Sequence, residues 1–339
     1  MALTEMLSGD AHALVLICST VGLPSGESVR PYGPRSWAKF AARMDEHGVD
    51  GPGALISLGA SEIKELLTYP PAEADRLARL LDRGAQAAVE LERLGSRGIW
   101  VLTILDDGYP ARLRERLGAD APPILFGAGS QRLLDRDGLA IVGSRAADEQ
   151  AIAFAHGLAA AAVAGGLVVV SGGARGIDQT AMRSAFGRGG QVIGVLPEGL
   201  EKRIREVETR SGLADGDLVL VSAVHPSTPF SVGAAMARNK MIYALSAATA
   251  IASCAAGEGG TWAGAVEALE RRYAPVLVRS DANAPAGNAE LIARGGIALA
   301  DGDIPDPLTR EALTVLTASF ESRAAEESTP YGVQEKLFG

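Results

Sequence analysis

From about residue 98 onward, short apolar runs alternate with stretches of helical periodicity. The runs 99–105, 124–126, 139–142, 167–170, 192–196, 218–221, 249–253 and 276–278 are hydrophobic segments of strand length, bounded by polar or glycine-containing turns. Between the later runs lie helical patterns near 148–164, 177–187, 199–212, 232–246 and 261–272, with a further one over 287–294. Strand–helix alternation at this spacing predicts an α/β fold, a parallel sheet with helices on both faces. In such sheets ligands bind at the carboxyl ends of strands, near the point where the strand order reverses.

The chain before this region has a different rhythm. An apolar stretch from Ala11 to Cys18 is followed by a Gly/Pro/Ser-rich segment, and 35–95 reads as helical. Leu77, Leu80, Leu81, Ala88 and Leu91 recur at helical spacing, and the loop 48–53 separates this pattern from an earlier helix around 37–44. Two readings fit such a small helical module. It is a relative of the SAM and helix-hairpin-helix type that touches nucleic acid, or it is an appendage for packing or dimer formation. The expected organisation is therefore a helical module over 1–97, the α/β core over 98–305, and a C-terminal helix with a tail over 306–339. The polar segment from about 322 reads as mobile.

Composition narrows the function classes. With 339 residues, 47% hydrophobic and 22% charged, the chain suits one large globular domain or a core with a smaller partner. A net charge of −9 argues against a protein that coats duplex DNA through bulk positive charge. It leaves room for a local basic groove, because the field depends on where charges sit. Cys18 and Cys254 lie far apart in sequence, which disfavours a disulfide framework or a cysteine metal site, and Cys254 falls in an apolar strand pattern. His12, His47, His156 and His225 show no metal-ligand spacing. No apolar run reaches membrane-spanning length and no cleavable leader pattern is present, so the expected location is cytoplasmic. There is no Gly-x-x-x-x-Gly-Lys-Ser/Thr loop, no Gly-x-Gly-x-x-Gly after the first core strand, and no catalytic set that spacing alone assigns. The reading is of a non-enzyme without a cofactor.

The chemistry concentrates at turns that follow the strand patterns. Ser171-Gly-Gly-Ala-Arg-Gly-Ile-Asp178 follows an apolar run and opens a helix. Glycines at 172, 173 and 176 let backbone approach a ligand, the helix start favours negative charge, and Arg175 offers a planar donor fork for phosphate. Asp178 fits either a helix cap or a ligand contact. About thirty residues earlier, Gly143-Ser144-Arg145 repeats the arrangement, as a phosphate contact or as a plain structural turn. Arg238, Asn239 and Lys240 sit on a helical pattern after a Pro-containing loop, where they line a groove or a solvated face. Gly259, Gly260 and Thr261 form a fourth turn that presents N–H groups. Trp262 after it is suited to stacking on a base or to packing. Together these turns point to a phosphate-bearing ligand, a nucleotide or a nucleic-acid backbone.

These motifs, in this order, resemble the DNA-processing protein A (DprA, or Smf) family over roughly 98–297. The resemblance rests on Tyr109-Pro110 and Pro122–Gly127, Ile141–Arg145, Ser171–Asp178, the loop 222–229, Arg238-Asn-Lys-Met-Ile242, and Gly287-Asn288 with Leu291, Ile292 and Gly295. It implies an extended Rossmann-like fold, binding of single-stranded DNA, dimerisation, and handing of the strand to the recombinase RecA, as in natural transformation. The DNA contacts it implies are Ser144, Arg145, Arg175, Arg238, Asn239 and Lys240. The sequence departs from the family at Met182 where histidine is usual, at Ala223 where glutamate is usual, at Pro197-Glu198 in a usually Gly-rich turn, and at Lys240 in place of a second arginine. Lysine keeps the charge and loses the bidentate fork.

Two weaker patterns complete the reading. Gln334-Glu-Lys-Leu-Phe338 resembles the short peptide by which bacterial proteins dock on the DNA polymerase sliding clamp. Gly259-Gly260-Thr261 is similar to the Gly-Gly-x-Gly-Thr-x-x-Glu loop of nucleoside-monophosphate phosphoribohydrolases, although the next glutamate here is Glu267. That likeness keeps a nucleotide-binding enzyme or sensor as the alternative, and a purely dimeric scaffold as a third reading.

Overall fold

A computed structural model describes residues 7–24 and 26–328. Among the described residues five helices come first: α1 (Gly9–Cys18), α2 (Pro34–Glu46), α3 (Ala60–Leu67), α4 (Pro71–Leu81) and α5 (Gly84–Gly95). Each turns apolar residues inward, among them Leu14, Phe40, Ile63, Leu77 and Leu91, all buried. Ala87 fills the inward position of α5 and Ala88 is only half-buried, one residue off the sequence expectation. The buried guanidinium of Arg83 closes this bundle. It donates to the carbonyls of Leu80, Val21 and Ser19 at 2.9, 2.6 and 2.8 Å, and also to that of Leu16. A cation thereby satisfies carbonyls that the end of α1 leaves without helical partners.

The remainder winds a single sheet. Its strands are β1 (Ile99–Thr103), β2 (Ile124–Gly129), β3 (Gly138–Gly143), β4 (Val168–Ser171), β5 (Val192–Val195), β6 (Leu218–Ser222), β7 (Ala248–Ser253), β8 (Val276–Arg279) and β9 (Ile297–Leu299). The helices between and after them are α6 (Ala111–Leu117), α7 (Glu149–Ala164), α8 (Ile177–Phe186), α9 (Val207–Asp215), α10 (Val232–Leu245), α11 (Gly259–Arg271), α12 (Ala286–Ala293) and α13 (Arg310–Ser328). The strand order is β1-β2-β6-β5-β4-β3-β7-β8-β9. From β6 to β9 every pairing is parallel, and the central strands are buried along their whole length, as strands covered on both faces must be. This is the α/β fold expected, with one correction: β1 and β2 join one end antiparallel.

Alternate side chains of each strand feed two cores. Leu139, Ile141, Val169 and Leu220 share one with the N-terminal helices, α7, α8 and α13. Ala140, Val142, Val170 and Val221 share the other with α6, α10, α11 and α12. Among the described residues no helix is long and apolar enough to cross a membrane.

Several expected boundaries move. The apolar stretch from Ala11 to Cys18 is nearly all of α1, and α6 and β9 were not foreseen. Segment 199–212 is not one helix: it turns through a short 3-10 segment, Arg203–Arg205, before α9 starts. Strand β1 stops at Thr103 because the Asp106 carboxylate accepts the Thr103 N–H at 2.6 Å and turns the chain. The polar segment after 322 is helical as far as Ser328; residues 329–339, with the Gln334–Phe338 peptide, lie outside the described residues.

Candidate nucleic-acid interface

The strand order reverses at β3, which has β4 on one side and β7 on the other. At this point the Ser144 N–H donates to the Ser253 carbonyl at 2.9 Å. The first Arg-bearing turn leaves β3 and the Gly-rich turn leaves β4. They meet because Gly176 lies against the backbone of the first turn. A Cβ on Gly176 would fall 2.5 Å from the Ser144 carbonyl oxygen, and its φ of +81° is one that residues with side chains rarely adopt. Helix α8 then starts directly behind this contact.

Together these turns shape a cleft of about 230 Å³ at the carboxyl ends of β3, β4 and β5. Arg145 reaches it from β3, and Gly172, Gly173 and Arg175 from β4. Pro197 and Glu198 follow β5, and Phe230 and Arg238 come from the loop into α10 and from the helix itself. Arg145 and Arg175 are exposed, and among the described residues neither guanidinium makes a hydrogen bond or ion pair. They are cations without an internal partner at the mouth of a concave site, which is the arrangement a polyanion requires.

Arg238 is different. It is 8% exposed and donates to the Val195 carbonyl, at the end of β5, at 2.6 Å, while its Nε has no hydrogen-bond partner among the described residues. Burial lowers its pKa, opposed by the charges of Asp178 and Glu198. Gly172 separates Arg238 from Asp178. A Cβ there would stand 1.8 Å from Arg238 Nη1 and 2.7 Å from Asp178 Oδ2, so this position admits only glycine without rearrangement of both groups.

Asp178 is not a simple helix cap. It is buried and turned back into the Gly-rich turn, where it accepts the Ala174 N–H at 3.4 Å. Burial pushes its pKa up to about 6, against the pull of Arg238 and of the backbone N–H groups of Ala174, Gly172 and Gly143. The protein's own carboxylate thus occupies N–H groups that the sequence pattern offers to a phosphate. The donors left at the rim are chiefly guanidinium groups.

The remaining expected positions are distributed around this cleft. Ser171 is buried and its hydroxyl ties β4 to the Ile141 carbonyl of β3 at 2.8 Å. Gly143 is buried, and the Ser144 hydroxyl accepts the Ala146 N–H at 3.2 Å. Asn239 donates to the Gly260 carbonyl at 2.9 Å and so couples α10 to the start of α11. Lys240 lies 3.8 Å from Asp120. Gly259, Gly260 and Thr261 do not line the cleft. Glu267, the acid that a phosphoribohydrolase-like reading needs, accepts the Tyr273 hydroxyl at 3.0 Å and also lies outside it.

Arg203 and Phe230 are among the cleft residues that escaped the sequence reading. Arg203 donates to the Gly173 carbonyl at 3.3 Å and pairs with Glu206 at 3.0 Å. The signal for it was a run of cations just past the carboxyl end of β5, hidden by treating 199–212 as one helix. Phe230 is 51% exposed at the cleft rim. A large aromatic at a turn beside glycine-rich loops was the available sign.

Comparison with known proteins gives a consistent result. A family model described as DNA recombination-mediator protein A matches residues 100–304. The chain is 40% identical over 99 residues to the DNA processing protein DprA of Streptococcus pneumoniae, a stretch covering 29% of this chain and 34% of that protein. It is 36% identical over 134 residues to the putative DNA processing protein DprA of Mycobacterium tuberculosis, covering 36% of this chain and 34% of the relative. The match therefore spans about a third of the length of these curated relatives. Among solved structures, DNA processing protein A from Streptococcus pneumoniae superposes with a TM-score of 0.61 at 25% identity, over 79% of this chain and 92% of that one. DNA processing protein A from Helicobacter pylori, solved to describe its single-stranded DNA binding mode, superposes with a TM-score of 0.51 at 24% identity, over 65% of this chain and 96% of that one. At that identity the likeness speaks to the fold.

Proposed function

The chain belongs to the DNA recombination-mediator protein A family, and from that premise we propose that it binds single-stranded DNA without catalysing a reaction on it. The observation that carries this reading is the pair Arg145 and Arg175, exposed and unpaired among the described residues, in one cleft at the ends of adjacent strands. Guanidinium groups grip successive phosphates, Phe230 offers its face to a base, and Arg203 braces the Gly173 carbonyl beneath the turn. Gly143, Ser144, Ser171, Gly172, Gly173 and Gly176 shape the two turns, and Arg238 fixes them from below. Asn239, Lys240, Gly259, Gly260 and Thr261 belong to the same end of the sheet and continue the track away from the cleft.

We assign 1–97 to a helical module, 98–305 to the binding core and 306–339 to a C-terminal helix and tail. In this reading the protein works in the cytoplasm as a homodimer and delivers the strand to RecA during DNA uptake or processing. Gln334–Phe338, outside the described residues, is its proposed dock on the sliding clamp. A nucleotide-cleaving alternative gains no support, because Glu267 is engaged with Tyr273 away from the cleft.

Titration of a labelled oligonucleotide at several salt concentrations tests the proposal. The slope of log affinity against log salt is expected to be about −0.7 per phosphate held. Duplex of the same length is expected to bind more weakly. Release of free base from nucleoside monophosphates would replace this reading with the enzymatic one.

A further inference from the structure

Arg279 ends β8 and is a fully buried cation that does not line the phosphate cleft. Its backbone is fixed, because Asn288 donates to its carbonyl at 2.9 Å and, with the other end of the same amide, accepts the Cys254 N–H at 2.9 Å. Its Nη2 donates to the Asn283 carbonyl at 3.2 Å. Its Nε and Nη1 make no hydrogen bond among the described residues, and what compensates them is charge: Nε lies 2.8 Å from the Asp281 carboxylate and Nη1 3.6 Å from that of Asp148. The two carboxylates come from different loops. Asp281 follows β8 itself, whereas Asp148 closes the turn after β3 and caps α7 by accepting the Ala151 N–H at 2.6 Å. A buried guanidinium stripped of its counter-charge is costly, so this attraction holds the far end of the turn. The Ser144 N–H on the Ser253 carbonyl holds the near end. Arg145 stands between the two anchors, and its guanidinium makes no hydrogen bond or ion pair among the described residues.

We propose that Arg279 is a positioning residue for Arg145: through Asp148 it holds the turn after β3 in the shape that carries Arg145 to the cleft. The proposal rests on the single-stranded DNA reading above. A side chain on a turn anchored at both ends loses less freedom when it closes on a phosphate. Arg279 touches no ligand in this role. Its strand is separated from β3 by β7, so the tether spans three neighbouring strands at the carboxyl end of the sheet.

Replacing Arg279 would disturb a packed interior, so the test neutralises its two carboxylates one at a time. Asp148→Asn and Asp281→Asn each remove one charge from beside Arg279, and asparagine keeps the cap of α7. By field alone both changes would tighten the binding of a polyanion, and a merely structural role would make both weaken it alike. Asp148→Asn is expected to bind a labelled oligothymidylate about fivefold more weakly than wild type, and Asp281→Asn at least as tightly as wild type. The loss is expected to vanish in the Arg145→Ala background, where nothing is left to position. Amide hydrogen exchange reads the turn without a ligand: residues 144–148 are expected to exchange faster in Asp148→Asn than in wild type or Asp281→Asn. Equal affinities of the two single variants overturn the inference, as does a loss that persists undiminished beside Arg145→Ala, or unchanged exchange over the turn. Failure of the underlying reading looks different: Arg145→Ala then binds as the wild type does, or neither binds, and the inference falls with it whatever the exchange shows.

Discussion

At the scale of single residues, the arginines divide into two kinds. Arg175 stands in solvent and touches nothing that holds the fold, so Arg175→Ala is expected to change stability by no more than about 0.5 kcal/mol. Arg238 sits below the turn, and its removal strands the Asp178 carboxylate in a buried site. Arg238→Ala is expected to cost about 3 kcal/mol or more, measured by denaturant unfolding. Asp178 itself gives a pH signature. Its pKa is raised by burial to about 6, so the folded state holds its proton more tightly than the unfolded chain does. Its stabilising contribution is then complete below the ordinary Asp range and is lost as pH rises through about 6. Melting curves between about pH 4 and pH 7 are expected to show the wild type falling relative to Asp178→Asn across that window. Residue identity made Arg145 and Arg175 legible in the sequence, because each follows a strand pattern beside glycine. It did not show which arginine faces solvent. Arg238 reads like a surface contact on its helical pattern, and only packing against Val195 and Asp178 reveals that it lies beneath the site.

At the scale of elements, the period of the hydrophobic pattern carried most of the architecture. Central strands such as β4 and β5 are continuous apolar runs with a single helix between them, and both were readable. Errors fell where tertiary contacts override local pattern. Strand β9 is three residues long and only partly buried, too short to show a period. The cation-rich stretch around Arg203 has helical composition but turns back to reach Gly173. The antiparallel direction of β1 and β2 cannot be read from their own residues. How the N-terminal helices meet the sheet was equally hidden, since it depends on a shared apolar core and on polar contacts between residues distant in sequence. Glu90 on α5 lies 3.2 Å from His225 in the loop after β6, and it accepts the Gly22 N–H at 2.6 Å. The His225 imidazole beside it is the main reason its pKa falls to about 2, with burial opposing and the Gly22 N–H assisting. A depressed carboxylate stabilises above its ordinary range and loses that contribution as pH falls towards 2. Glu90→Gln is therefore expected to lower the melting temperature near neutral pH. The difference from wild type is expected to shrink as pH drops below about 4.

At the scale of the whole molecule, a chain with net charge −9 presents a local concentration of arginine at one end of its sheet. The acidic remainder opposes indiscriminate adhesion to polyanions, and in the proposed reading phosphate is held locally at the cleft. Few contacts mean modest affinity with a shallow salt dependence, in contrast to proteins that coat duplex DNA. The central claim is that Arg145 and Arg175 hold successive phosphates of one strand. The measurement that tests it most directly is the salt dependence of oligonucleotide affinity for wild type and for Arg145→Ala/Arg175→Ala, with folding of the variant verified by its melting temperature. The account predicts a folded variant with weaker binding and a slope shallower by about 1.4, two contacts at about 0.7 each. A folded variant with the wild-type affinity and slope would contradict it.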